Sequence, residues 1–260
     1  MSRATMAVTL LACLAFTVGC SNSDPEAVAT TPGNGSTIVG SGPTETATPL
    51  DGLSALEVWK RTKTAAAGST SVHVAARLID GRQRIALNLK TTDSGKAVGT
   101  LILNGNQISV RRLGGTLYFK ADRGFWTANA DAATAAILAN KWIMVKKGFS
   151  ADMEQFFQLT DMNFLLHDAL SLTASEQKGL QRVAGIDVGR QPTVGLADPT
   201  PGGTGTGDDV QTLYVSNADP ALPMTFTLDA DSTQYMKFRG WNQDFTVVAP
   251  AGAIDLAKVG

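Results

Sequence analysis

The chain has 260 residues and a formal charge of −1, with 22 Lys and Arg against 23 Asp and Glu. That balance excludes the strongly basic surface that nucleic-acid binding needs. Its two cysteines, Cys13 and Cys20, both fall in the first twenty residues. The rest of the chain therefore holds no disulfide and relies on its core, although an exported domain would be free to use one.

The N-terminus carries one cation, Arg3, and then an apolar run over 4–19. The run is short for a bilayer span, which takes about 20 apolar residues. A charged start, an apolar stretch of this size and a small residue at its end make a secretory signal. Thr17-Val18-Gly19-Cys20 resembles a bacterial lipobox, with Thr17 where Leu is usual. The reading is a signal peptide over 1–19, followed by Cys20 as the acylated first residue of a mature chain of charge −2. It implies a lipid anchor on the extracytoplasmic face of the bacterial cell membrane. The alternative is an ordinary signal peptide with an incidental cysteine.

Residues 20–50 are rich in Ser, Thr, Gly, Pro and Ala. Such a stretch buries too little apolar surface to offset its ordering entropy. It reads as a flexible linker with a coil span of ~30 Å.

The remaining 51–260 fit one domain. Ser54 and Glu57 form a capping-box pattern at the start of a helix that Gly68 ends. Four turn signals follow between residues 72 and 121: Asp80-Gly81, Asp93-Ser94-Gly95, Asn104-Gly105 and Gly114-Gly115. Five strands at that spacing form an up-and-down meander. With Asp80-Gly81 as the first two-residue loop, Ala76 pairs with Ile85, Val74 with Leu87 and Val72 with Leu89. The later turns set Leu89 opposite Gly99, Leu87 opposite Leu101, Ile85 opposite Leu103, Leu101 opposite Ile108 and Val110 opposite Phe119.

All four turns agree on one apolar face, made of Val72, Val74, Ala76, Leu78, Ile85, Leu87, Leu89, Leu101, Leu103, Ile108, Val110, Leu117 and Phe119. The wet face holds His73, Arg77, Arg84, Asn88, Lys90, Thr100, Gln107, Ser109, Arg111 and Lys120. A slip of one residue at any turn would scramble that division, and a sheet of this kind covers something on one side. Helical segments follow after Phe125-Trp126, with Asp131 capping one through residue 140 and others over 151–159 and 162–172. Strand-like runs return at 180–188, 210–215, 224–228, 235–238 and 245–248. The Pro/Gly/Thr-rich 198–209 stretch between them reads as an exposed loop. The assembly is an α+β fold: a curved antiparallel sheet with helices in its concavity.

Chemistry is hard to find. His73 falls on the wet face opposite Asn88. His167 has Asp168 beside it, but adjacent helical residues do not face each other, and no strained Gly-x-Ser-x-Gly turn supplies a nucleophile. There is no HExxH, no cysteine pair and no EF-hand spacing, and Asp208-Asp209 reads as solvated loop. We expect no catalytic residue, metal or cofactor. Arg111-Arg112, with Lys141, Lys146 and Lys147 around Trp142, reads as solubilising charge or as contacts to anionic headgroups. The apolar face either closes a dry core or borders an apolar pocket.

The Cys20 lipobox and linker, the first helix "LSALEVWKRTKTAAAGSTSVHV", "GGTLYFKADRGFW", "DMNFLLHDALS" and the closing "YMKFRGWNQDFTVVAPAGAID" together resemble the actinobacterial LppX/LprA/LprF/LprG lipoproteins. Those proteins are related in fold to the LolA and LolB carriers. The resemblance covers essentially all of 51–260 and rests on the order of segments. It implies a curved antiparallel half-barrel with helices on its concave face. An acylated lipid or glycolipid would be held between the two layers and carried across the envelope, without enzymatic activity. By position, Val74, Leu87, Leu89, Leu101, Leu103, Ile108, Val110, Leu117, Phe119, Phe156, Phe157, Phe164 and Leu165 would line the cavity. Cys20 would hold the protein to the membrane, and an envelope transport partner would fit such a role. The rival expectation is an envelope sensor or protein-interaction module on the same scaffold with a filled core.

Overall fold

The computed structural model describes residues 49–197, 211–228 and 232–258. The signal peptide, Cys20, the linker up to residue 48 and the 198–209 loop lie outside the described residues. Helix α1 (Ala55–Ala67) starts at Ser54. The Ser54 hydroxyl accepts from the Glu57 N–H at 3.3 Å, and the Glu57 carboxylate accepts from the Ser54 N–H at 2.8 Å, which closes the capping box. Gly68 stands at the other end of the helix, though in the right-handed region.

The meander follows as β1 (Ser71–Asp80), β2 (Gln83–Thr92), β3 (Lys96–Leu103), β4 (Asn106–Leu113) and β5 (Thr116–Ala121). Two short helices, α2 (Arg123–Asn129) and α3 (Ala132–Leu138), lead to β6 (Ile143–Lys146). Then come α4 (Ala151–Leu159), α5 (Met162–Leu170) and α6 (Ala174–Gly179). The chain returns to the sheet as β7 (Gln181–Val183), β8 (Asp187–Val188), β9 (Gln191–Ala197), β10 (Thr212–Ser216), β11 (Pro223–Thr227) and β12 (Tyr235–Arg239). Strand β13 (Ile254–Asp255) is followed by a single 3₁₀ turn.

The sheet runs β13-β6-β5-β4-β3-β2-β1-β12-β11-β10-β9-β7, with β8 paired to β9. All its pairs are antiparallel except β13 with β6. β12 returns to lie against β1, so the late strands extend the meander rather than form a second layer. The sheet stays open at β13 and β7, and is therefore a curved half-barrel rather than a closed one. Helices pack over one face of it, as the single apolar face requires.

Three of the four turns hold their expected register: Leu89 opposes Gly99, Leu101 opposes Ile108 and Val110 opposes Phe119. The first differs. The two-residue loop is Gly81-Arg82, with Gly81 at φ +57°, so Ala76 opposes Leu87 and Val74 opposes Leu89. Moving the loop by one residue shifts each pair by two, so every side chain keeps its face. As a result, His73 lies opposite Lys90 rather than Asn88, though its ring still bonds the Asn88 side chain.

Other departures are local. α2, α6, β6 and β9 are further elements, and the expected strand at 180–188 divides into β7 and β8. Residues 245–248 are not a strand. Segment 241–253 is instead an irregular strap spanning from β1 to the start of β6. The Asn242 N–H donates to Ser71 O, Arg111 Nη1 donates to Val248 O at 2.9 Å, and the Ile254 N–H donates to Trp142 O.

Candidate ligand layer

The concave face is built by alternation along each strand. Val74, Leu89 and Phe238 lie side by side across β1, β2 and β12, all at 1 % exposure or less. Leu101, Ile108 and Ala121 make a neighbouring row across β3, β4 and β5. The helices bring Val58 and Trp59 from α1, Trp126 from α2, Leu138 from α3, Phe156 and Phe157 from α4, and Leu165 from α5 into one continuous apolar cluster with them. Phe119 is the hinge of that contact: its ring lies 5.9 Å from Phe156, stacked at 22°, and 5.7 Å from Trp126.

Of the side chains expected to line a cavity, all but Phe164 belong to this layer or its margin. Val74, Leu87, Leu89, Leu101, Ile108, Val110, Leu117, Phe119, Phe156, Phe157 and Leu165 are buried, Leu103 is half-buried at the edge, and Phe164 is half-buried apart from it. The layer is closely packed in this state. An apolar cleft of about 40 Å³ lies beside it, lined by Trp59, Ala169, Leu172, Leu196, Leu213 and Phe226 among others. A larger groove, about 540 Å³, is open at the surface between Lys60 and Arg61 of α1, Pro49-Leu50 and the 218–221 turn.

Three polar features mark the layer. Arg112 is 7 % exposed and reaches inward from β4, where it was expected among surface charges. Its Nη1 donates to Phe157 O at 2.9 Å and lies 3.4 Å from the Asp161 carboxylate; its Nε donates to Gly114 O at 2.9 Å. The signal was present in the sequence, since the alternation that turns Ile108 and Val110 inward also turns Arg112 inward. Nearby, the Thr91 hydroxyl donates to Thr160 O at 2.9 Å, a second tie from the sheet to the α4–α5 junction. Third, the indole N–H groups of Trp59 and Trp126 are buried without a hydrogen-bond partner among the described residues. Most buried donors are satisfied, and such a donor left alone costs about 1–3 kcal/mol.

The histidines sit elsewhere. Arg239 Nε donates to His73 Nδ1 at 3.2 Å on the outer face of the sheet. His167 contacts the Ser171 hydroxyl one turn on, at the exposed end of α5. No group of His, Cys, Asp and Glu with metal-binding proximity occurs among the described residues. None of the described helices is long and apolar enough to cross a membrane.

No family model matches the chain, and no curated protein matches it by sequence. Among solved structures, LprF from Mycobacterium bovis aligns over 76 % of this chain and 97 % of its own length, with a TM-score of 0.52 and 16 % identity. The chain has the LprF fold. The lipoprotein LppX of Mycobacterium tuberculosis aligns over 75 % of this chain and 98 % of its own, at 16 % identity and a TM-score of 0.46. The LprF-like half-barrel is the architecture implied by the order of segments in the sequence, with its helices on the concave side.

Proposed function

We propose that this protein is a lipoprotein of the bacterial cell envelope, anchored through an acylated Cys20. It holds the acyl chains of a lipid or glycolipid between the concave face of the sheet and the helices. What supports this reading is the make-up of that layer. It is mostly apolar from Phe238 to Val145, its buried Arg112 and Thr91 are hydrogen-bonded, and yet it contains two indole donors with no partner among the described residues. An acyl ester would supply what is missing there, carbonyl oxygens for Trp59 and Trp126, and its methylenes would match the apolar walls once the layer parts.

The mechanism is burial without chemistry. Each methylene removed from water contributes about 0.8 kcal/mol, offset by the cost of parting the layer. The lid parts by local loosening, because α4 and α5 are nine residues each and are held helical only through their contacts with the rest of the layer. The sheet, with its continuous ladder, stays fixed while the α4–α5 unit moves outward from Phe119. Cys20 then keeps the site near the membrane from which the lipid comes, and an envelope transport partner would receive it.

Native mass spectrometry of the protein purified from a bacterial membrane background tests this. Lipid-sized adducts lost on denaturation are expected. Protein without adducts, and without uptake of fluorescent acyl probes, would sink the proposal. The stacked Phe119–Phe156 contact favours a second reading, an envelope sensor or interaction module whose core stays filled. It predicts a crosslinked protein partner and no lipid.

A further inference from the structure

The outer face of the sheet is as one-sided in charge as the inner face is in polarity. On the seven strands from β12 through β1 to β6, the outward positions carry Lys237 and Arg239, Arg77, and Arg84 with Lys90. Continuing outward along the sheet are Lys96, Arg111, Lys120 and Lys146. None of the outward strand positions in these seven strands is Asp or Glu. The chain as a whole is balanced, at 22 cations to 23 anions, so its acidic residues have been placed elsewhere. The carboxylates nearest this face in sequence are Asp80 at the end of β1, Asp93 in the turn after β2 and Asp244 in the strap, which crosses from β1 past Arg111 to the start of β6.

The cations are interleaved with exposed apolar groups. Ile79 and Ile102 stand on the same face at 52 % and 39 % exposure, and Val248 of the strap is 65 % exposed. Trp142, half-buried at the β6 end, has the Arg111 guanidinium 4.8 Å from its ring and the Lys120 ammonium at 5.6 Å. An indole held between cations is the kind of amphipathic group that settles at a membrane–water boundary. Exposed aliphatics do nothing for a soluble polyanion but fit the zone between headgroups and acyl chains.

We infer that the outer face of β12–β1–β2–β3–β4–β5–β6 docks on a bilayer surface bearing anionic headgroups. Charge complementarity carries the inference, and the interspersed Trp142, Ile79 and Ile102 select a bilayer over an acidic protein. The proposal is independent of whether the inner layer takes a ligand. It gives the domain an orientation: sheet against the membrane, helices toward the envelope space.

The test is vesicle co-sedimentation at low salt with the chain from Ser21 onward, which contains the entire core and lacks the acylated cysteine. Vesicles of phosphatidylcholine alone are compared with vesicles two parts phosphatidylcholine to one part phosphatidylglycerol. Binding is expected only with phosphatidylglycerol and is expected to weaken as salt is raised. Each outer-face cation removed should lower partitioning about fivefold. The Arg77→Gln/Arg84→Gln/Lys237→Gln variant should therefore fall roughly a hundredfold, with an unchanged melting temperature. A control lacking three cations from elsewhere, Lys60→Gln/Arg123→Gln/Lys178→Gln, should bind as the parent does. Equal loss in the control, or equal binding to neutral vesicles, overturns the proposal. So does retention on a polyglutamate matrix with no vesicle binding, which would point to an acidic protein.

Discussion

Replacing Arg112 with Ala removes the main polar tie between the sheet and the α4–α5 lid. The guanidinium gives up two hydrogen bonds, to Phe157 O and Gly114 O, each worth about 1.5 kcal/mol at the low end for a charged donor. Phe157 O keeps a second donor in the Thr160 hydroxyl at 2.9 Å, so its loss is not compounded by an orphaned carbonyl. The Asp161 carboxylate is 37 % exposed and is hydrated once Arg112 is gone, so the ion pair adds little. The side chain also lies over the Phe157 ring at 5.4 Å, and truncation leaves that ring under-packed. The total is about 3 kcal/mol of destabilisation. Arg112→Met, which keeps the packing and drops the bonds, should lose less than Arg112→Ala. Urea denaturation gives the stability, and amide hydrogen exchange shows where it is lost, with protection expected to fall first across α4 and α5. A loss below about 1 kcal/mol, or exchange raised evenly across the sheet, would refute the idea that Arg112 clips the lid.

Further outcomes follow from other positions. Gly99 has φ +153°, and a Cβ there would sit 2.0 Å from Asn88 O, so Gly99→Ala should cost about 3 kcal/mol in thermal or urea unfolding. Trp59→Phe and Trp126→Phe remove unpartnered donors; each should leave the ligand-free protein as stable or more so while weakening acyl-probe binding in fluorescence titration. Bonds from the Ser54 hydroxyl and N–H hold the Glu57 carboxylate below its ordinary 4.5, and bonds from Thr134 hold Asp131 below 3.8. A depressed carboxylate stabilises above its unfolded value and ceases to do so as pH falls through its folded one. The first turns of α1 and α3 should therefore loosen below about pH 4 by NMR amide shifts, and Glu57→Gln should flatten that response at α1.

Much of the fold was legible because the meander announces itself. Asn104-Gly105 and Gly114-Gly115 sit where only tight turns satisfy both flanking alternations. The error at Asp80-Gly81 was harmless to the assignment of faces because a hairpin loop moved by one residue shifts the pairing by two. β6 was hidden for the opposite reason: Trp142-Ile143-Met144-Val145 is too short and too apolar throughout for alternation to show. The strap at 241–253 resembles strand in composition, yet its bonds go to single groups such as Ser71, Arg111 and Trp142, which no local pattern encodes. In the candidate layer, the apolar sheet side chains were readable from alternation. What the sequence could not show is how tightly Phe119, Phe156 and Trp126 close on one another, since that depends on where the loops set α2 and α4. Arg112 could have been found, but its charge and its neighbour Arg111 argued for solvent more loudly than its parity argued for the interior.

The central claim is that acyl chains enter between the sheet and the helices, and quenching of single tryptophans tests it most directly. In proteins that retain Trp126 alone or Trp142 alone, with the other tryptophans replaced by Phe, an acyl ligand brominated along its chain is titrated against its unbrominated counterpart. Trp126 lies inside the layer against Phe119, whereas Trp142 is half-buried beside Arg111 and Lys120 of the outer face. Strong bromine-dependent quenching of Trp126 and little of Trp142 is expected. Bound ligand that leaves Trp126 unquenched would contradict it.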